Sequence, residues 1–145
     1  MRKRDDIERL HDEFRELVDD LWQVPRFVAR RGFRPNVDCI LSDDPPALHV
    51  IVELPGVDPD AVKVIVADRL LVVAGERCRP RVDGRYRQVE IEYGPFQRRI
   101  ALAEPVDTAA ATASYEQGLL KVTLPIAAKE PKRERVTIVI GARNE

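Results

Sequence analysis

The chain has 145 residues, 44% of them apolar and 34% charged, with a formal net charge of −1. That length suits one domain with extensions rather than two ordinary domains, and charges so evenly balanced argue against a nucleic-acid binder, which needs a basic excess. Its 11 prolines and 7 glycines fall between apolar runs, a punctuation that favours many short strands over a few long helices.

Residues 1–35 open as a helix. Ile7, Leu10, Phe14, Leu17, Val18, Leu21 and Trp22 share one side of a 3.6-residue period, and Asp5, Asp6, Glu8, Asp12, Glu13, Glu16, Asp19 and Asp20 lie between them. Pro25 ends this acidic amphipathic segment, and Phe27, Arg30, Arg31, Phe33 and Arg34 follow as a basic, aromatic stretch. Such a helix cannot bury its own stripe, so it needs a partner surface.

Over 36–125 the period drops to two. Runs at 37–41, 47–54, 62–66, 70–74, 96–102, 108–115 and 119–124 read as strands, with Ser42-Asp43-Asp44-Pro45-Pro46 dividing the first two and Asp68-Arg69 forming a hairpin gap. Short strands at this spacing predict an antiparallel, immunoglobulin-like β-sandwich, an all-β fold. Residues 126–145 form a tail. Lys129 to Arg135 is too charged to pack, yet Val136-Thr137-Ile138-Val139-Ile140 beyond it is a β-branched island that something must cover.

Catalytic constellations are missing. His11 and His49 have no Cys or second His near them in sequence, and Cys39 and Cys78 form neither a CxxC pair nor a disulfide framework. Asp43-Asp44 reads as a solvated turn rather than a cation site. No phosphate-cradling glycine loop or nucleophile elbow is present. The reading is a protein that is not an enzyme and takes no cofactor and no metal. Arg30, Arg31 and Arg34 beside so acidic a helix make a poor electrostatic footprint for nucleic acid. The basic start runs straight into Asp5-Asp6 with no apolar segment, and no run approaches the roughly 18 residues of a membrane span, so a cytoplasmic location without stable membrane association is expected.

Several motifs resemble, in order and spacing, those of the small heat-shock proteins, the alpha-crystallin domain family, of bacterial type. They are Glu53-Leu54-Pro55-Gly56, Leu71-Val72-Val73-Ala74-Gly75-Glu76-Arg77, Glu90 with Tyr93-Gly94-Pro95-Phe96-Gln97-Arg98-Arg99, Ala113 to Leu120, and Ile138-Val139-Ile140 with the overlapping Val136-Thr137-Ile138. The resemblance implies an alpha-crystallin sandwich over 36–125, an arm over 1–35 and a tail over 126–145. It implies a homodimer made by exchanging a strand from the loop Arg79–Tyr93, with Tyr86, Val89, Glu90, Ile91 and Arg98 at the interface. It further implies that Val136, Ile138 and Ile140 dock on another dimer, in a groove between the strands at 62–66 and 108–115 (Val62, Val64, Val66, Ala111, Ala113, Tyr115). The implied activity is that of an ATP-independent holdase, an oligomer that uses its arm, Phe27 and Phe33 included, to bind unfolding client proteins. The alternative is a co-chaperone that works as a monomer or dimer on a larger chaperone.

Overall fold

Alternation of branched apolar residues with polar ones gives strands such as β2 (Pro46–Glu53) and β7 (Leu119–Pro125) one face to bury, and the computed structural model, which describes residues 32–67, 69–128 and 135–141, stacks the buried faces in two sheets. The first holds, in spatial order, β1 (Val37–Asp43), β2 (Pro46–Glu53), β7 (Leu119–Pro125), β6 (Thr112–Glu116) and β9 (Ile140–Gly141). The second holds β5 (Gly94–Ala101), β4 (Leu70–Arg77), β3 (Lys63–Ala67) and β8 (Val136–Ile138). Every pairing is antiparallel except that of β6 with β9. Among the described residues the only helical turns are the 3-10 turns Pro59–Ala61 and Thr108–Ala110, so the fold is the all-β sandwich expected.

The core lies between the sheets. Val50, Val52, Val64, Val66, Leu71, Val73, Leu120, Val122 and Leu124 are fully buried there. Gly75 faces the same space, where a Cβ would stand 2.8 Å from the Phe96 ring, so the missing side chain is what admits that ring.

Turn chemistry sets the registers. The β1–β2 ladder runs on to Asp43 opposite Pro46, leaving only Asp44-Pro45 to turn. The five-residue divider shrinks because the Ser42 hydroxyl closes it against the carbonyls of Pro45 (2.9 Å) and Ala47 (3.2 Å). Gln117 and Gly118, with φ of 54° and 77°, supply the left-handed pair that a tight β6–β7 hairpin needs.

Two expectations need correction. The strand expected over 108–115 begins only at Thr112, because the Asp107 carboxylate accepts from the Ala109 amide (3.1 Å) and winds Thr108–Ala110 into a 3-10 turn. The run at 62–66, whose Val62, Val64 and Val66 alternate with Lys63 and Ile65 in the pattern of a half-buried strand, is buried at every residue but Lys63. Ile7, Leu10, Phe14, Leu17, Val18, Leu21, Trp22 and Phe27 of the arm, and His11, lie outside the described residues.

Candidate functional site

The two flanks of the sandwich differ. On one flank the edges β3 and β6 are covered by the chain's own tail. Val136 lies opposite Val66 and Ile138 opposite Val64, and after Val139 the chain crosses to the other sheet, where Ile140 pairs with Ala113. Period-two geometry does the sorting: Ile138 is 6% exposed and joins the core, Val139 is 82% exposed, and Ile140 is half-buried against the core. Both overlapping tail motifs are therefore engaged, one on β3 and one bridging the sheets. Small Ala111 and Ala113, lining the groove with Thr108 and Thr112, leave room for the two isoleucines. Burying Ile138 contributes on the order of 1.5–3 kcal/mol before the cost of ordering the tail.

Of the other groove residues expected, Val62, Val64 and Val66 are buried in the main core, and Val64 and Val66 pair edge to edge with the tail's strand. Tyr115 turns elsewhere. Its hydroxyl donates to the Leu54 carbonyl (2.7 Å). The resemblance led to a neighbouring dimer as the tail's host; within the subunit described, the host is the same chain.

The opposite flank is bare. Cys39 and Leu41 pair with Val50 and Leu48, which puts them on the inner side of their sheet, yet both are exposed, as is Ile40 at 50%. The outer edges of β1 and β5 carry no strand partner among the described residues. Arg98 of β5 spans this opening, its Nη1 donating to the Pro35 carbonyl (2.6 Å) just before β1. Though its side chain is exposed, partial desolvation of the Cys39 sulfur raises its pKa above the ordinary value; the positive charge of Arg98 partly offsets that and Asp38 adds to it.

Between β4 and β5 the segment 78–93 forms no strand, and Val82, Tyr86, Val89 and Ile91 are 57–77% exposed. Glu90 is exposed there, while Arg98 is committed to Pro35, so the subunit does not bring the two together. A stack of cations and rings that sequence reasoning missed ties the segment down. Arg77 lies over Phe33 (3.6 Å) and near Tyr93 (5.4 Å), and Arg79 lies over Tyr93 (4.5 Å) and Tyr86 (5.0 Å). Nε and Nη2 of Arg77 both donate to the Glu92 carbonyl, the former at 2.9 Å. The available signal was two arginines two residues apart at a strand end, hence on one side, with tyrosines returning at the far end of the loop.

His49 bridges strands on the outer face, its ring nitrogens facing the Ser42 hydroxyl (3.0 Å) and the Thr123 hydroxyl (3.5 Å). Among the described residues no three His, Cys, Asp or Glu side chains stand together as metal ligands would. What both flanks offer is backbone edges and branched side chains, the means of strand pairing.

These features define the class: an alpha-crystallin-type β-sandwich with a tail strand lodged across one flank and a long exposed loop beside the other. The chain belongs to the Hsp20/alpha crystallin family, which it matches over residues 41–141. It is 40% identical over 136 residues to the 16.9 kDa class I heat shock protein 1 of Triticum aestivum, covering 82% of this chain and 89% of that one. It is 39% identical over 102 residues to the 19.0 kDa class II heat shock protein of Oryza sativa subsp. japonica, covering 64% of this chain and 58% of that longer protein. Among solved structures it is similar to heat shock protein 16.0 from Schizosaccharomyces pombe, with a TM-score of 0.61 and 29% identity over 70% of this chain and 94% of that one. The family is one of small heat-shock proteins, chaperones that act without ATP and are not enzymes.

Proposed function

We propose that this chain is an ATP-independent holdase that works in the cytoplasm as a dynamic oligomer of dimers. The observation that carries the reading is the docking of Ile138 and Ile140. They close an apolar groove through a short tail strand that a highly charged linker joins to the sandwich. A neighbouring subunit's tail can make the same contacts, so exchange between copies costs little beyond chain entropy. The bare β1 edge and the exposed alternation of Tyr86, Val89 and Ile91 support a second junction, in which the loop 79–93 of one subunit adds a strand to another. Exchange would open grooves and arms in turn, and these bind apolar surface on unfolding proteins. The division of labour is arm 1–35 for clients, sandwich 36–125 for dimers and tail 126–145 for higher assembly, with no role for nucleic acid.

The test is heat aggregation of a thermolabile client followed by light scattering. Suppression at equimolar subunits is the expected result, and unaltered precipitation excludes holdase activity. The seating of the tail on its own sandwich favours one rival, a co-chaperone that stays monomeric or dimeric. Native mass separates the two, since that rival gives a small species with or without residues 136–145.

A further inference from the structure

Strand β4 is dry on both sides. Leu71 and Val73 enter the main core, whereas Leu70, Val72 and Ala74 point the other way and join Ile65 and Ala67 of β3 in a second cluster whose members are between 1% and 8% exposed. On the other sheet β2 and β7 alternate buried with more open positions, as strands with one solvated face do. A strand buried on both faces needs a layer on each. Among the described residues no half-buried hydrophobic packs on the outer cluster, and the positions that flank it, Arg99 on β5 and Thr137 on β8, belong to the same sheet.

We propose that this outer face of β3, β4 and β5 is the docking surface for the acidic amphipathic segment 7–22 of the same chain. The chain's path favours it. Gly32, the first described residue, lies against Gly94, the first residue of β5, its Cα 3.4 Å from where a Cβ on Gly94 would sit, so the described chain begins at the rim of this very sheet. The connector 23–31 reaches at most about 30 Å, enough to bring the segment back across the face. Size agrees: a helix over 7–22 is about 24 Å long, close to the diagonal of a patch three strands wide and five residues long. Charge agrees as well. Lys63 and Arg99 border the cluster on β3 and β5, with Arg69 at the hairpin end, and the segment brings Asp12, Glu13, Glu16, Asp19 and Asp20. Glu76 is the acidic exception, at the far end of β4. Docked in this way, the stripe of Leu10, Phe14, Leu17 and Leu21 and the sheet face hide each other. Undocking bares two apolar surfaces at once, which makes the arm a latch. The proposal stands whether or not the protein is a holdase.

Cross-linking in the full chain tests it. In a Cys39→Ser/Cys78→Ser background, Leu17→Cys is paired either with Ala101→Cys, exposed at the rim of this face, or with Leu41→Cys, exposed on the other sheet. The expected result is at least tenfold faster disulfide formation from 17 to 101 than from 17 to 41, with the product running as a single chain on a denaturing, non-reducing gel. Equal rates, no bond to 101, or a product of two chains (the arm of a second copy) would overturn it. A second variant leaves the sandwich untouched: Leu10→Asp/Leu17→Asp is expected to raise anilinonaphthalene sulfonate fluorescence at least twofold with unchanged β-sheet circular dichroism. No rise in dye binding also sinks the latch.

Discussion

The guanidinium of Arg77 lies 3.6 Å above the Phe33 ring while its Nε holds the Glu92 carbonyl, so one buried side chain joins the entry to β1, the end of β4 and the end of the long loop. Arg77→Ala removes the cation from the ring and leaves a loop carbonyl without its donors, a loss of about 1–3 kcal/mol. Differential scanning calorimetry is expected to show a midpoint lower by at least about 5 °C. Arg77→Lys keeps the charge but not the planar fork and falls between the two.

Ile138 faces Val64, and its burial is held by a strand of three residues. Ile138→Ala weakens that seat by about 2–2.5 kcal/mol, which is the transfer term for the three carbons removed. The response is detachment of the tail rather than unfolding. Amide exchange is expected to accelerate at 136–141 and at Ile65 with the main melting midpoint nearly unchanged. Val139→Asp, on an 82% exposed side chain, leaves exchange as it was.

Much of this architecture is legible in the residues. Alternating valines, Pro/Gly punctuation and the Asp68-Arg69 gap mark the strands because period and turn chemistry are local properties. The isoleucine island beyond a charged linker marks the tail for the same reason. What escapes is tertiary. Leu70-Leu71-Val72-Val73-Ala74 is a continuous apolar run, the pattern of a strand dry on both faces, but the run by itself does not say what covers the second face. The Phe33–Arg77–Tyr93 stack joins residues far apart in sequence, which no window spans. Thr108 to Ala110 reads as strand, and the turn there follows from a single Asp107 side chain whose capping depends on where the chain is already heading.

Gly118 and Gly56 both have positive φ, 77° and 75°, but only Gly118 is crowded, its Cβ position 3.1 Å from the Pro55 Cα. Gly56→Ala bears the backbone penalty alone, about 1 kcal/mol, whereas Gly118→Ala adds the clash and costs roughly 2–3 kcal/mol. Urea denaturation of the two variants side by side checks the order.

Cys39 offers a pH readout of the bare flank. Its thiol titrates above the ordinary range because partial desolvation disfavours the thiolate, with Arg98 acting in the opposite sense and Asp38 in the same sense. Arg98→Ala removes the favourable charge, raises the pKa further and is expected to slow iodoacetamide labelling of Cys39 at pH 8. The wild-type and variant rates converge well above both pKa values, where both thiols are ionised. Faster labelling of Arg98→Ala across the whole range would show that Arg98 shields the sulfur instead.

With β8 and β9 lying across one side of the sandwich and β1 and β5 open on the other, the position of a few tail residues decides how many sheet edges the subunit leaves uncovered. On the proposed function, a unit whose tail is home would offer one sticky side and stop at pairs, whereas a unit whose tail has left would offer two and could propagate into chains or close into shells. Growth and its termination would then hang on one peptide segment, and any agent competing for it would cap or restart polymerisation without touching the folded body.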